Sequence, residues 1–204
     1  RKVTVGGQVW DFAYDAFGQR VKEAGPERTT FTVPGFFEQR NDNGQVSYAF
    51  KVQGSEGPVA QVTVNGAGTH TDYLFTDSLG SVSAVVDEGD GATFEPLWYD
   101  PFGARVNADG SALTGGTGDV RAGYTGHQHD DDLGLINMVG RMYDPALQRF
   151  TSADPYVTEP LSGQSWNPYS YVRNSPTNLV DPTGYQYNTC AAAPYMPECR
   201  PRSP

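Results

Sequence analysis

The stretch Tyr14-Asp15-Ala16-Phe17-Gly18-Gln19-Arg20-Val21 recurs as Tyr99-Asp100-Pro101-Phe102-Gly103-Ala104-Arg105-Val106, identical at six of eight positions. Such a string reads as strand, turn, strand. The Asp at the start of the turn accepts backbone amide hydrogens, Pro or Ala sets the next φ, and Gly takes the positive φ. A diverged copy, Tyr143-Asp144-Pro145-Ala146-Leu147-Gln148-Arg149-Phe150, keeps Tyr, Asp, Arg and an apolar end. The first two copies start 85 residues apart and the last two 44. This predicts a unit of about 42 residues with one copy worn away, Asp77 and Leu79-Gly80-Ser81-Val82 being its candidate remnant. A recurring unit of that size implies an array in which each hairpin buries its face on its neighbours.

The rest of the first half agrees. Thr29–Val33, Phe36–Arg40, Val46–Lys51, Val59–Val64, Thr71–Thr76, Ser81–Val86 and Thr93–Tyr99 each alternate or concentrate β-formers. Between them lie Asp42-Asn43-Gly44, Asn65-Gly66 and Asp87-Glu88-Gly89-Asp90-Gly91, residues that tolerate hairpin backbone geometry. The 24 Gly and 15 Pro disfavour a helical bundle, whereas 12 Tyr, 10 Phe and 3 Trp supply too much apolar surface for a disordered chain. The fold class predicted is all-β and antiparallel. We divide the chain into repeats (1–106), a small-residue surface loop (107–123), a Pro- and Asn-rich compact segment (124–185) and a tail (186–204).

A net charge of −10 makes nucleic acid and anionic membranes poor partners, and no apolar run approaches the roughly 20 residues of a helical membrane span. The first residue is Arg and no signal peptide is recognisable, so the chain is expected to be a piece of something longer. Cys190 and Cys199 form a C-x8-C pair that either closes a small disulfide loop in an oxidising compartment or remains two thiols on the tail.

The second half carries a specific resemblance. Tyr124-Thr125-Gly126-His127-Gln128-His129-Asp130 is followed by Leu133-Gly134-Leu135-Ile136-Asn137-Met138-Val139-Gly140-Arg141-Met142-Tyr143-Asp144-Pro145 and Gln148-Arg149-Phe150-Thr151-Ser152-Ala153-Asp154-Pro155. Asn167-Pro168-Tyr169-Ser170-Tyr171-Val172-Arg173-Asn174-Ser175-Pro176 and Val180-Asp181-Pro182-Thr183-Gly184 come next. In that order the segments resemble the core domain of Rhs/YD-repeat proteins, the group that includes Rhs and TcC toxin shells and teneurins. The resemblance implies a β-strip wound into a hollow shell, plugged at one end by an inward-spiralling core. In bacterial members the shell holds an unfolded or partly folded C-terminal toxin. The core resembles an intramolecular aspartic protease that cuts just after Asp-Pro-x-Gly-x.

The four Asp-Pro pairs, at Asp100, Asp144, Asp154 and Asp181, are by themselves ordinary turn chemistry. By motif position the resemblance places catalytic aspartates at Asp154 and Asp181, their arginine at Arg141, and the cut between Tyr185 and Gln186. The family usually has Leu or Met where this sequence has Tyr185. His127 and His129 beside Asp130, Asp131 and Asp132 could suggest a metal site, but the family pattern makes them a solvated polar turn. No metal or cofactor is expected. Expected partners are the chain's own C-terminal segment as cargo, the preceding repeats of the same chain, and a secretion or delivery apparatus; the implied location is outside a bacterial cell or on its surface. Only 19 residues follow Tyr185, too few for an enzymatic toxin core. The alternative is a non-catalytic, structural or adhesive YD-repeat scaffold.

Overall fold

The computed structural model describes residues 1–55, 57–89, 94–113, 118–156 and 160–187. Cys190 and Cys199 lie outside the described residues. Two compact units are present, Arg1–Phe75 with Ala84–Glu95, and Thr76–Ser83 with Pro96–Pro204.

The first unit is built on a meander. Strands β1 (Lys2–Val5), β2 (Gln8–Tyr14), β3 (Arg20–Ala24), β4 (Arg28–Val33), β5 (Phe37–Asp42), β6 (Gln45–Gln53), β7 (Pro58–Asn65), β8 (Gly68–Thr76), β9 (Val82–Asp87) and β10 (Phe94–Pro96) follow one another in a single sheet in chain order. The pairs from β1 through β8 are antiparallel. Strands β2 and β3 flank the turn that the octapeptide at Tyr14 predicts, while β1 lies ahead of every strand expected from sequence.

Directly paired residues share a sheet face. Phe12, Glu23, Thr30 and Arg40 fall in one such row, and Glu38, Ala49 and Thr63 lie on the same face. All of these are buried, so this face is largely polar inside. Its charges are matched: Arg40 donates two hydrogen bonds to Glu38 (3.0 and 2.7 Å), Lys51 bonds the other Glu38 oxygen, and Arg20 pairs with Glu23 at 3.2 Å. The opposite face exposes Phe31, Val33, Tyr48, Phe50, Val52 and Tyr73.

The repeated octapeptide proves to be one turn used several times. In the turn at Asp100 the carboxylate accepts the amides of Phe102 (2.8 Å) and Ala104 (2.9 Å), and Gly103 N–H bonds the Asp100 carbonyl. Asp15 and Asp77 repeat the pattern at Phe17 and Gln19, and at Leu79 and Ser81. The remnant at Asp77 is therefore a true copy, but these turns are unevenly spaced, so the geometry recurs without an even 42-residue period. The copy at Asp144 differs, because Gln148 rather than a Gly takes positive φ.

Gly18 and Gly103 both adopt positive φ, but only Gly103 is crowded: a Cβ there would lie 2.5 Å from the Tyr124 ring. Gly18→Ala should cost about 1–2 kcal/mol for left-handed backbone alone. Gly103→Ala should cost at least about 1 kcal/mol more, because the ring must shift as well. Thermal unfolding of the two variants measures the difference; equal losses would refute it.

The expected strand Thr93–Tyr99 is instead two elements in different sheets. After β10 the chain turns at Pro96, which has no amide hydrogen to donate, and buried Leu97 bonds the Ser83 carbonyl at 2.9 Å. Strand β11 (Trp98–Tyr99) then pairs with β12 (Arg105–Val106). In the expected surface loop at 107–123, Asn107 begins another tight turn closed by Ser111, while Val120 and Arg121 are buried.

The rest of the second unit holds β13 (Gln128–Asp130), β14 (Leu135–Met138), β15 (Arg141–Asp144) and β16 (Arg149–Phe150), an antiparallel sheet in chain order. Its register aligns His129, Ile136, Tyr143 and Phe150 on one face. That face packs with Tyr124, Met138, Tyr171 and Val172 into an aromatic core. The Tyr143 ring sits 4.9 Å from that of Tyr171 and 5.5 Å from that of Phe150, centroid to centroid. Beyond β16 the described chain is turns and short 3-10 segments, as its Pro and Asn content leads one to expect.

Candidate functional site

Arg141 opens β15 directly after the Val139-Gly140 turn, on the same side of the strand as buried Tyr143. Its guanidinium lies over the Phe150 ring at 3.6 Å, a stacking that Lys cannot reproduce. Nε donates to the Gly184 carbonyl and Nη1 to the Pro168 carbonyl at 3.1 Å. Nη2 then faces two carboxylates, Asp154 Oδ2 at 2.9 Å and Asp181 Oδ2 at 3.8 Å. One buried cation thus brings together two acids that are 27 residues apart in sequence. Arg141→Lys keeps the charge but loses the fork and the stack, and should destabilise the second unit by about 1–3 kcal/mol in chemical denaturation. An unchanged midpoint would count against the role assigned to the fork.

The Pro168 carbonyl also accepts the Asp154 amide at 2.8 Å, so one carbonyl fixes both partners of the ion pair. The other Asp154 oxygen accepts the Tyr156 amide at 2.9 Å, the ordinary Asx turn that its Asp-Pro sequence promises.

Asp181 is held differently. Its Oδ1 faces the amides of Thr183 (3.2 Å), Gly184 (2.8 Å), Tyr185 (3.2 Å) and Gln186 (3.1 Å) and the Thr183 hydroxyl. The side chain is almost fully buried. Burial pushes its carboxyl above the usual carboxylate range, although the amides and Arg141 pull the other way. The amide of Gln186, on the far side of the Tyr185–Gln186 bond, therefore donates to a carboxyl that burial shifts upward. Arg141, Asp154, Asp181, Tyr156 and Tyr185 line one cleft.

His127 and His129 are not in a solvated turn: both are buried, as is Asp130. The His129 Nε2 accepts the Tyr124 amide at 3.0 Å, and His127 Nδ1 meets the Thr125 hydroxyl at 2.9 Å. Arg121 pairs with Asp130 and Arg105 with Asp131, at 2.8 and 2.9 Å. Loss of solvent lowers the His127 imidazole to about 4 and His129 well below its usual value. Among the described residues no group of three His, Cys, Asp or Glu side chains is arranged to hold a metal ion.

Sequence reasoning did not find the carbonyls of Pro168 and Gly184 or the Phe150 ring, because backbone acceptors and stacking partners carry no residue-type signature.

Asp-initiated turns recur in the meandering sheet of the first unit and again in the second. The family model for the teneurin YD-shell matches residues 57–189, and the chain belongs to that family. It is related to toxin-delivery proteins of the Rhs/YD type. It is 26% identical over 192 residues to salivary gland surface protein 1 of Aedes aegypti, covering 85% of this chain and 5% of that protein. It is 29% identical over 181 residues to the tRNA3(Ser)-specific nuclease WapA of Bacillus spizizenii, covering 85% of this chain and 7% of the nuclease. The fold matches that of a chain in the Photorhabdus luminescens Tc holotoxin pore with a TM-score of 0.67 at 20% identity, over 90% of this chain and 9% of the other. The chain thus spans less than a tenth of the length of each.

Proposed function

We propose that this chain is the C-terminal part of a bacterial shell, secreted or displayed at the cell surface, that encloses a C-terminal toxin or effector and frees it by cutting itself between Tyr185 and Gln186. The observation that carries the reading is the shared Arg141 nitrogen facing Asp154 and Asp181 while Asp181 Oδ1 lies 3.1 Å from the Gln186 nitrogen. The roles follow from the environments. Asp154, in the closer ion pair with Arg141, is the base and takes a proton from water as the water oxygen bonds to the Tyr185 carbonyl carbon. In the tetrahedral intermediate the Gln186 nitrogen becomes pyramidal and turns its lone pair toward Asp181, which gives it a proton as the C–N bond breaks, leaving a carboxyl group on Tyr185 and an amine on Gln186. Because the substrate is the chain's own backbone, already held by the amides around Asp181, no binding affinity is required. The exposed apolar face of the first unit supports the enclosure of an incompletely folded segment, since large exposed apolar patches on a sheet mark contact surfaces.

The test is the intact mass of the chain carrying a C-terminal tag. Release of a fragment beginning at Gln186 is expected; a permanently uncut, folded chain would favour a non-catalytic surface scaffold. That second reading draws on the similarity to a mosquito protein named for the salivary gland surface.

A further inference from the structure

We propose that Gly140 and Tyr156 form the seat for the residue that precedes the cut bond, and that this seat is shaped for an aromatic ring. The inference rests on the self-cleavage reading and concerns which residue the site takes. A Cβ on Gly140 would lie 2.2 Å from Cε2 and 2.6 Å from Cδ2 of Tyr185, and 2.7 Å from the Thr183 carbonyl oxygen. The ring therefore occupies space that exists because residue 140 has no side chain. Gly140 N–H also donates to the Thr183 carbonyl at 3.0 Å, which sets the register of the Asp181–Gln186 segment against the turn.

Two further groups define the ring's orientation. The Tyr156 ring meets it edge to face, with centroids 6.4 Å apart and planes at 88°. The Arg141 guanidinium carbon lies 5.7 Å from its centroid, within range for a cation over an aromatic face. A flat ring can lie against bare backbone while presenting its edges and face to such neighbours. A branched or flexible aliphatic chain offers neither surface. Tyr185 is thus matched by its surroundings at Gly140, Arg141 and Tyr156. Both residues act by positioning the scissile carbonyl; neither exchanges a proton.

The experiment measures the rate of self-cleavage of the full tagged chain after a pulse of cell-free synthesis, for Tyr185→Phe, Tyr185→Leu, Gly140→Ala and the Gly140→Ala/Tyr185→Leu double variant. Tyr185→Phe should remain within about threefold of the native rate, and Tyr185→Leu should fall about tenfold. Gly140→Ala should slow the native chain at least about tenfold more than it slows the Tyr185→Leu chain, the coupling of two residues in contact. Equal slowing in both backgrounds overturns the seat and assigns the Gly140 effect to the Thr183 carbonyl. Should Gly140→Ala fail to fold, Tyr185→Leu cutting as fast as Tyr185→Phe overturns it independently. A native chain that is never cut refutes the self-cleavage reading instead. The same four variants are then compared by thermal midpoint: additive shifts overturn the seat, and non-additive shifts support it.

Discussion

Replacing either Asp154 or Asp181 with Asn is expected to slow release of the fragment beginning at Gln186 by at least about 100-fold, the usual contribution of a positioned proton donor or acceptor. The substitutions preserve shape. An Asn oxygen at 181 still accepts the amides of Thr183 through Gln186, and one at 154 still accepts the Tyr156 amide. What each removes is the ability to carry a proton at the pH of the reaction. The two losses should not add, because the acids act in one step and either deletion stops it.

Stability should separate the variants that activity does not. Asp154→Asn deprives a buried guanidinium of its nearer anion and should lower the unfolding midpoint. Asp181→Asn removes a carboxyl that burial already disfavours in its charged form, and should be neutral or stabilising at neutral pH. Intact mass against time, with unfolding on the same samples, measures both. Native-rate cleavage by either Asn variant would sink the two-carboxylate mechanism.

The second unit is expected to weaken in acid through His127. Its folded-state imidazole, lowered to about 4 by burial, titrates well below the unfolded value of 6.5. Backbone hydrogen bonds to Pro182 and Tyr124 only partly offset that burial. The neutral ring therefore contributes stability that is complete above the unfolded value and is lost as the pH falls through about 4. The integrated loss is about 2 kcal/mol by pH 5 and about 3 kcal/mol by pH 4. His129, lowered in the same direction by burial and by Arg105 and Arg121, adds to it. Asp181 works in the opposite sense: its raised carboxyl contributes stability at low pH that is lost as the pH rises through its folded value.

Chemical denaturation of native chain and His127→Gln from pH 7 to pH 4 isolates the effect, since Gln does not titrate. The native chain should lose about 3 kcal/mol more than the variant over that range. Parallel curves would show that His127 is not buried in solution.

How much of this was legible beforehand differs from element to element. The strands from Arg28 to Asp87 were readable because apolar and β-branched residues cluster between Gly and Asn turns. The Asp-initiated turns were readable because each is a local structure whose hydrogen bonds close within five residues. Thr93–Tyr99 was misread as one strand, since nothing local reports that Leu97 is drawn to Ser83. The polar buried face also escaped composition-based reasoning. Glu38, Arg40 and Lys51 look like surface residues until strand pairing gathers their charges on one buried face.

The sequence alone determined the antiparallel β-class, the recurring Asp-x-x-Gly turn, the resemblance to YD-repeat shells and the residues worth testing. Each of these depends on residue type and short spacing. Only the tertiary structure decided that Asp154 and Asp181 face one nitrogen of Arg141, that Asp181 is buried beneath four amides, and that Tyr185 rests on the bare backbone of Gly140. It also turned His127 and His129 from an expected solvated turn into buried neutral rings. The reason is physical: desolvation and through-space charge depend on which distant segments meet, and meeting is settled by packing around Tyr143, Phe150 and Tyr171 rather than by neighbours in the chain.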